Sequence, residues 1–266
     1  MRYGLIAGNG RFPELALESA RGLGHDVTVI AIQEEASPQI EALAPRCYWT
    51  SLGQLGKLID ILKKEGITEV VMCGQVKHAR IFSSIVPDWR LVKLLASLPS
   101  KNPDGLIGGI IKILADEGIH LSDSTALLKP LLATAGAMSQ REPQKQETAD
   151  IHYGRRVADA LAGFDVGQSV AICERACVAL EAMEGTDAML RRAAGLVNGR
   201  RLSLVKVARR REHLLFDVPV VGLSTIPVMR ETGTTVLAVE AGRTLMLDRE
   251  EMLKQADSAN LAIVGF

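Results

Sequence analysis

The sequence predicts an α/β protein with an N-terminal Rossmann-like parallel sheet domain and a C-terminal α/β domain with a mixed sheet. Short apolar runs such as Leu5-Ile6-Ala7 and Val70-Val71-Met72-Cys73 alternate with longer amphipathic segments, the pattern of strand-helix units. Hydrophobic residues make up 47% of the chain and aromatics only 4%, which suits buried parallel strands of small aliphatic side chains. At 266 residues there is length for two small domains.

In the first domain, residues 3–7 read as a strand, Gly8-Asn9-Gly10-Arg11-Phe12-Pro13 as a tight loop, and residues 14–21 as a helix whose entry suits proline. Residues 27–32 complete a strand-loop-helix-strand unit of the nucleotide-binding type. Gly8-x-Gly10 matches the opening of a dinucleotide fingerprint, with Glu34 about where a ribose-binding acid falls, but Pro13 stands where the third glycine belongs. A helix from Thr50 or Ser51 to Glu65, a strand over 69–73, a helix over 104–117 and a short strand over 119–121 extend the doubly wound pattern. Gly74-Gln75-Val76-Lys77-His78-Ala79-Arg80 sets an amide, two cations and a histidine at the carboxyl end of a strand, where open parallel sheets bind ligands. A solvated loop is the competing reading of the same residues.

From Ala133 to Ala149 the composition turns polar without an apolar period, as in a linker. The expected organisation is a domain over 1–132, a linker over 133–147 and a second domain over 148–266. The second domain opens with a helix over 148–161, followed by strands over 167–172 and 176–181 close enough to pair antiparallel. Glu184-Gly185-Thr186-Asp187 then joins a strand-like run to a helix. One reading is an ordinary start with Thr186 as N-cap. The other is an anion and metal site, where Gly185 admits backbone close to a ligand, free helix N–H groups attract phosphate, and Glu184 and Asp187 offer hard oxygen ligands.

Lys206 alternates with apolar neighbours on a strand over 202–207, facing either a site or solvent. Asp217 precedes a segment stiffened by Pro219, after which Ser224-Thr225 opens a further helix and a second candidate phosphate site. Strands over 235–240, 244–247 and 261–264 complete the sheet, and Asp248 and Glu251 have capping-box spacing.

Lys+Arg and Asp+Glu both number 31, so the basic surplus of a dedicated nucleic-acid binder is missing. No apolar run is long enough to span a bilayer, and Met1-Arg2-Tyr3 leads straight into a strand, which predicts a cytosolic chain without a signal peptide. Cys47, Cys73, Cys173 and Cys177 form no Cys-x-x-Cys and read as reduced, mostly buried thiols.

Four segments acquire a joint meaning: residues 5–13, Asp165-Val166-Gly167-Gln168, residues 184–192, and Asp217-x-Pro219-x-x-Gly222. Together, over nearly the whole chain, they resemble the LpxI-type UDP-2,3-diacylglucosamine pyrophosphatases. The resemblance implies magnesium-dependent cleavage of UDP-2,3-diacylglucosamine to UMP and 2,3-diacylglucosamine 1-phosphate (lipid X) in lipid A biosynthesis. It implies two α/β domains holding diphosphate and sugar between them, a homodimer, and peripheral association with the cytoplasmic face of the inner membrane. Carried onto this sequence, Asp217 stands at the family's essential acid, for metal ligation or activation of water. Glu184 and Asp187 support it as metal or phosphate-site residues, Thr186 donates to a phosphate, and Lys206 neutralises developing phosphoryl charge. Gly8, Gly10, Phe12, Gln75 and His78 are implied substrate contacts. The run Arg209-Arg210-Arg211-Glu212-His213 departs from the family's lysine-proline and glutamine-aspartate and stays outside the catalytic set. Two other classes compete: an NAD-dependent oxidoreductase, and a non-catalytic nucleotide-sugar or lipid-binding protein.

Overall fold

A computed structural model describes residues 1–74, 86–98, 103–164, 166–208 and 218–266, without the side chains of Pro103, Asp104, Ser124 and Ala126. It divides into two compact α/β units, Met1–Leu128 and Lys129–Phe266.

In the first unit, β1 (Arg2–Ala7), β2 (Asp26–Ile32), β3 (Arg46–Thr50), β4 (Glu69–Cys73) and β5 (His120–Leu121) pair in parallel in the order β3-β2-β1-β4-β5. The chain builds outward from β1 to β3, then returns to the other side of β1 with β4. Strand order therefore reverses between β1 and β4, where open sheets leave a crevice at their carboxyl ends. The helices are α1 (Phe12–Gly22), α2 (Gln39–Leu43), α3 (Leu55–Lys64), α4 (Trp89–Ser97) and α5 (Pro103–Asp116). Leu58, Ile59 and Leu62 of α3 pack with Leu91 and Leu94 of α4 onto Ile6, Ile30 and Val70 of the sheet, because residues three and four apart share a helix face.

Strand β3 is the departure from the sequence reading. Arg46-Cys47-Tyr48-Trp49-Thr50 lies at the sheet edge, half-buried on both faces, so it carries no alternation to read. Its pairing with β2 consumes Thr50, and α3 starts later, at Leu55, with no side-chain cap. The carboxylate of Glu34 holds the intervening loop, accepting from Ser51 Oγ and from the Leu52 amide at 3.2 Å.

The second unit is a six-stranded mixed sheet in the order β6-β13-β11-β9-β7-β8. These are β6 (Gly136–Ala137), β7 (Ser169–Cys173), β8 (Ala176–Leu180), β9 (Leu202–Lys206), β11 (Thr234–Val239) and β13 (Ala262–Gly265). β9, β11 and β13 run parallel, whereas β7 is antiparallel to β9 and β8, and β6 to β13. A separate short parallel pair joins β10 (Val220–Val221) to β12 (Leu245–Met246).

Alternation sorts the strand side chains between two cores. Val170, Ile172, Val205, Val236 and Ala238 face α6 (Lys145–Gly163). Ala171, Leu202, Leu204, Leu237 and Val239 face Met189 and Leu190 of α7 (Thr186–Leu196), Met229 of α8 (Thr225–Glu231) and Met252 of α9 (Arg249–Ser258).

The stretch 133–147 is built into this unit. Ala137 and Gly136 pair with Val264 and Gly265, and α6 starts at Lys145 through a capping box of Gln144 and Glu147. The polar residues that suggested a linker serve as caps and ion pairs. Asp248 flanks α9 in the left-handed region with no side-chain cap bond, so the expected box with Glu251 does not form. The four cysteines are free. Burial pushes the Cys73 thiol up to about 12, as expected of an inert core thiol.

Candidate active site

Strand parity decides where Lys206 points. It shares a face with Leu202 and Leu204, hence the side of the sheet covered by α7, α8 and α9. At 8% exposure it is no solvated-face lysine. It lines a cleft of about 380 Å³ together with Glu184, Gly185, Thr186, Asp187, Ser224 and Thr225. Leu204, Val220, Val221, Gly222 and Leu247 supply the rest of the wall.

The start of α7 forms one side of this cleft. Gly185 is its N-cap at φ 81° and ψ 163°, a conformation glycine alone reaches at little cost. The first N–H groups of α7 have no partner within the helix and belong to cleft residues, which is the usual anion-binding arrangement. Thr186 is therefore the first helical residue and not the N-cap, since Gly185 already makes the turn. The Thr186 hydroxyl instead donates to Glu181 Oε1 at 2.8 Å and lies 3.4 Å from Lys206 Nζ and 3.2 Å from Ser169 Oγ.

The acids differ. Glu184 Oε1 accepts from Arg192 at 2.6 Å and Oε2 from the Ala182 amide at 3.0 Å. The Arg192 guanidinium holds the Glu184 carboxyl below its ordinary value, and both oxygens secure the turn before α7. Asp187 is exposed in the first turn of α7, where a carboxylate is favoured by the helix dipole. Across the cleft, Thr225 Oγ1 accepts from the Gly222 amide at 3.4 Å, and Ser224 flanks α8 without a side-chain cap bond. Among the described residues, no group of three or more His, Cys, Asp or Glu side chains is gathered to hold a metal ion.

Asp217, Gln75 and His78 lie outside the described residues. Gly8, Gly10 and Phe12 belong to the first unit, where β1 ends and α1 begins. There the Gly8 amide donates to the Cys73 carbonyl at 2.8 Å. Gly74 has φ +95°, and a Cβ on it would stand 2.7 Å from the Asn9 carbonyl oxygen, so only glycine lets the β1 and β4 loops touch at the switch point. Of the expected site residues, the structure thus gathers Glu184, Thr186, Asp187, Lys206, Ser224 and Thr225 in one cleft, and sets Gly8, Gly10 and Phe12 at the carboxyl edge of the other sheet.

Sequence reasoning passed over Glu181 and Ser169, which are 7% and 0% exposed. The available signal was parity. Ser169 pairs in register with Lys206, and Glu181 is a lone acid closing an apolar strand.

The fold and cleft define a two-unit α/β protein whose second unit carries a cleft lined by a lysine, hydroxyls and a helix start. Comparison with known proteins narrows the class. The LpxI N-terminal domain model matches residues 2–131 and the LpxI C-terminal domain model residues 134–264, and the chain belongs to the LpxI family. A curated relative, the UDP-2,3-diacylglucosamine pyrophosphatase LpxI of Caulobacter vibrioides, is 31% identical over 274 residues, covering 99% of this chain and 97% of its own. Solved structures with some likeness are more distant. The biotin carboxylase domain of a thermophilic 2-oxoglutarate carboxylase is 13% identical with a TM-score of 0.28, covering 64% of this chain and 34% of its own. A phosphoribosylglycinamide synthetase from Anaerococcus prevotii is 14% identical with a TM-score of 0.27, covering 65% and 31%. This chain spans about a third of the length of both, and neither likeness carries an argument about function.

Proposed function

We propose that this protein hydrolyses the diphosphate of UDP-2,3-diacylglucosamine to UMP and 2,3-diacylglucosamine 1-phosphate, a step of lipid A biosynthesis. The observation that carries the reading is the cleft itself. A nearly buried ammonium, Lys206, and the open N-terminus of α7 converge on one concave surface in a chain of the LpxI family. Both stabilise negative charge that grows on phosphoryl oxygens during in-line displacement by water, and no covalent nucleophile is required. Asp217, the acid carried over from the family, stands three residues before Val220 of the cleft wall.

The donor chemistry fits a magnesium ion. Mg²⁺ takes one or two protein carboxylates and fills its remaining positions with phosphate oxygens and water. Asp187, exposed on the cleft wall, would hold it with Asp217. Glu184 would serve less directly, since its oxygens already meet Arg192 and the Ala182 amide. When bound, such an ion neutralises the diphosphate and makes a water more acidic. The first unit, with Gly8, Gly10, Phe12, Gln75 and His78, is assigned to substrate binding. Peripheral binding to the cytoplasmic face of the inner membrane and a homodimer belong to the same proposal, testable by vesicle sedimentation and light scattering.

Phosphorus NMR of the purified protein with UDP-2,3-diacylglucosamine and magnesium tests the core of it. The diphosphate signals should give way to two monoester signals, and oxygen-labelled water shows which phosphorus is attacked. Chelator should stop the reaction, and Asp217→Asn should slow it by about 10² or more. Tight retention of the intact substrate under every divalent ion would establish a carrier in place of an enzyme.

A further inference from the structure

We infer that Glu181 is a positioning residue for Lys206, acting through the Thr186 hydroxyl; the inference rests on the hydrolytic reading of this cleft. The available hydrogens set the direction of each bond around Thr186. Among the described residues, Thr186 Oγ1 has three polar neighbours: Glu181 Oε1 at 2.8 Å, Ser169 Oγ at 3.2 Å and Lys206 Nζ at 3.4 Å. A carboxylate only accepts and an ammonium only donates. The single Thr186 hydrogen therefore goes to Glu181, and its oxygen accepts from Lys206. The Ser169 hydroxyl, buried at 0% exposure, then donates to Thr186. With one hydrogen given and two lone pairs taken, the Thr186 hydroxyl has nothing left to donate to a phosphate. Thr186 meets substrate through its backbone N–H at the start of α7, and its side chain aims the ammonium.

Glu181 is fixed in turn. Its second oxygen accepts from the Gln168 amide at 3.3 Å, its own amide donates to the Ser169 carbonyl at 3.0 Å, and it is no part of the cleft wall. Removing its acceptor frees the Thr186 hydrogen to turn toward Lys206, where donor would face donor.

The test is a double-mutant cycle on kcat and KM in the NMR assay, with melting temperatures confirming that each variant folds. Thr186→Val and Glu181→Met, which removes the acceptor oxygens at similar volume, should each lower kcat/KM about tenfold or more, the scale of a lost hydrogen bond to a charged group. The loss should fall on kcat, since the ammonium is worth most where charge develops. Thr186→Ser, which keeps the hydroxyl, should recover most of the activity lost in Thr186→Val. In a Lys206→Met background, Thr186→Val and Glu181→Met should each change kcat/KM by less than about twofold, because they act through the missing group. Full additivity in that background would overturn the inference, and so would a Thr186→Val variant that matches the unmodified protein. If the unmodified protein does not cleave the substrate at all, the hydrolytic reading fails separately. The network is then read with inorganic pyrophosphate in titration calorimetry. Non-additive losses of affinity in the same variants support the inference; additive losses, or no binding by the unmodified protein, overturn it.

Discussion

Arg141→Met probes how firmly the stretch 133–147 belongs to the second unit. The Arg141 guanidinium donates to both oxygens of Glu147 at 2.8 and 2.6 Å, to the Thr235 carbonyl at 2.7 Å, to the Asn260 carbonyl at 2.9 Å and to the Glu142 carbonyl at 3.1 Å. It thereby ties the start of α6 to the strand ends of the sheet. The two side chains are 16% and 6% exposed. Removing one member of a buried pair costs roughly 3–5 kcal/mol, and partial exposure of the arginine places this case near about 3 kcal/mol. At roughly 3 °C per kcal/mol for a domain of this size, the melting temperature at neutral pH should fall by about 10 °C.

The effect has a pH signature. Burial raises the Glu147 carboxyl, but Arg141, the Thr235 hydroxyl and the Gln144 amide together hold it below its ordinary value. A carboxyl depressed in the folded state contributes stability above its unfolded value of about 4.3, and that stability is lost as pH falls through the folded value. The gap between the two proteins in thermal melts followed by circular dichroism should therefore narrow below about pH 4. A loss under about 3 °C at neutral pH would refute the reasoning. Rapid proteolytic cutting of 133–147 in the unmodified protein would refute it too, since that is how a linker behaves.

Two further changes test the packing and the first unit. A Cβ at Gly154 of α6 would meet Val205 Cγ2 at 2.7 Å and Ile172 Cγ1 at 2.8 Å, both in a fully buried core. Gly154→Ala should thus destabilise by about 1–2 kcal/mol in urea titrations even though alanine favours helix by about 1 kcal/mol; a stabilised variant would show that the core yields freely. In the first unit, Lys63 and Arg90 clamp Glu117 and hold its carboxyl down to about 2. That contribution is present above about pH 4.3 and fades toward pH 2, so Glu117→Gln should flatten the acid limb of melting temperature against pH, and an unchanged limb would discount the clamp.

The sequence showed what repeats and hid what depends on partners. β1, β2, β4, β7, β9, β11 and β13 were legible because each is a short, nearly continuous apolar run, as expected of strands buried on both faces. β3 was not, since an edge strand of mostly half-buried side chains carries no such run. The segment 133–147 misled for a related reason: Gln144, Glu147 and Arg141 look solvated in sequence, and only the fold brings Arg141 within 2.7 Å of the Thr235 carbonyl, 94 positions away. In the cleft, Glu184, Thr186, Asp187, Ser224 and Thr225 were identifiable by residue type beside a glycine or a helix start, and Lys206 by its place among the apolar residues of a strand. The relation among them was not, because a hydroxyl that donates to substrate and one that donates to Glu181 read identically.

The mixed sheet explains why that relation exists. In an all-parallel sheet, the residues facing the ends of β9 and its neighbour would both be strand carboxyl ends. Here β7 runs antiparallel to β9, so its first residue, Ser169, sits opposite the last residue of β9, Lys206. β8 reverses again and carries its own carboxyl end back to the same edge, where Glu181 follows Leu180 and bonds the Ser169 carbonyl. The chain then needs only the turn at Gly185 to start α7 there. One hairpin laid against β9 therefore delivers a serine, a glutamate and a helix N-terminus to the single lysine at the strand's end. A parallel strand in the place of β7 would bring its first residue to the opposite edge of the sheet, about 15 Å away for five residues, and take Ser169 away from Lys206.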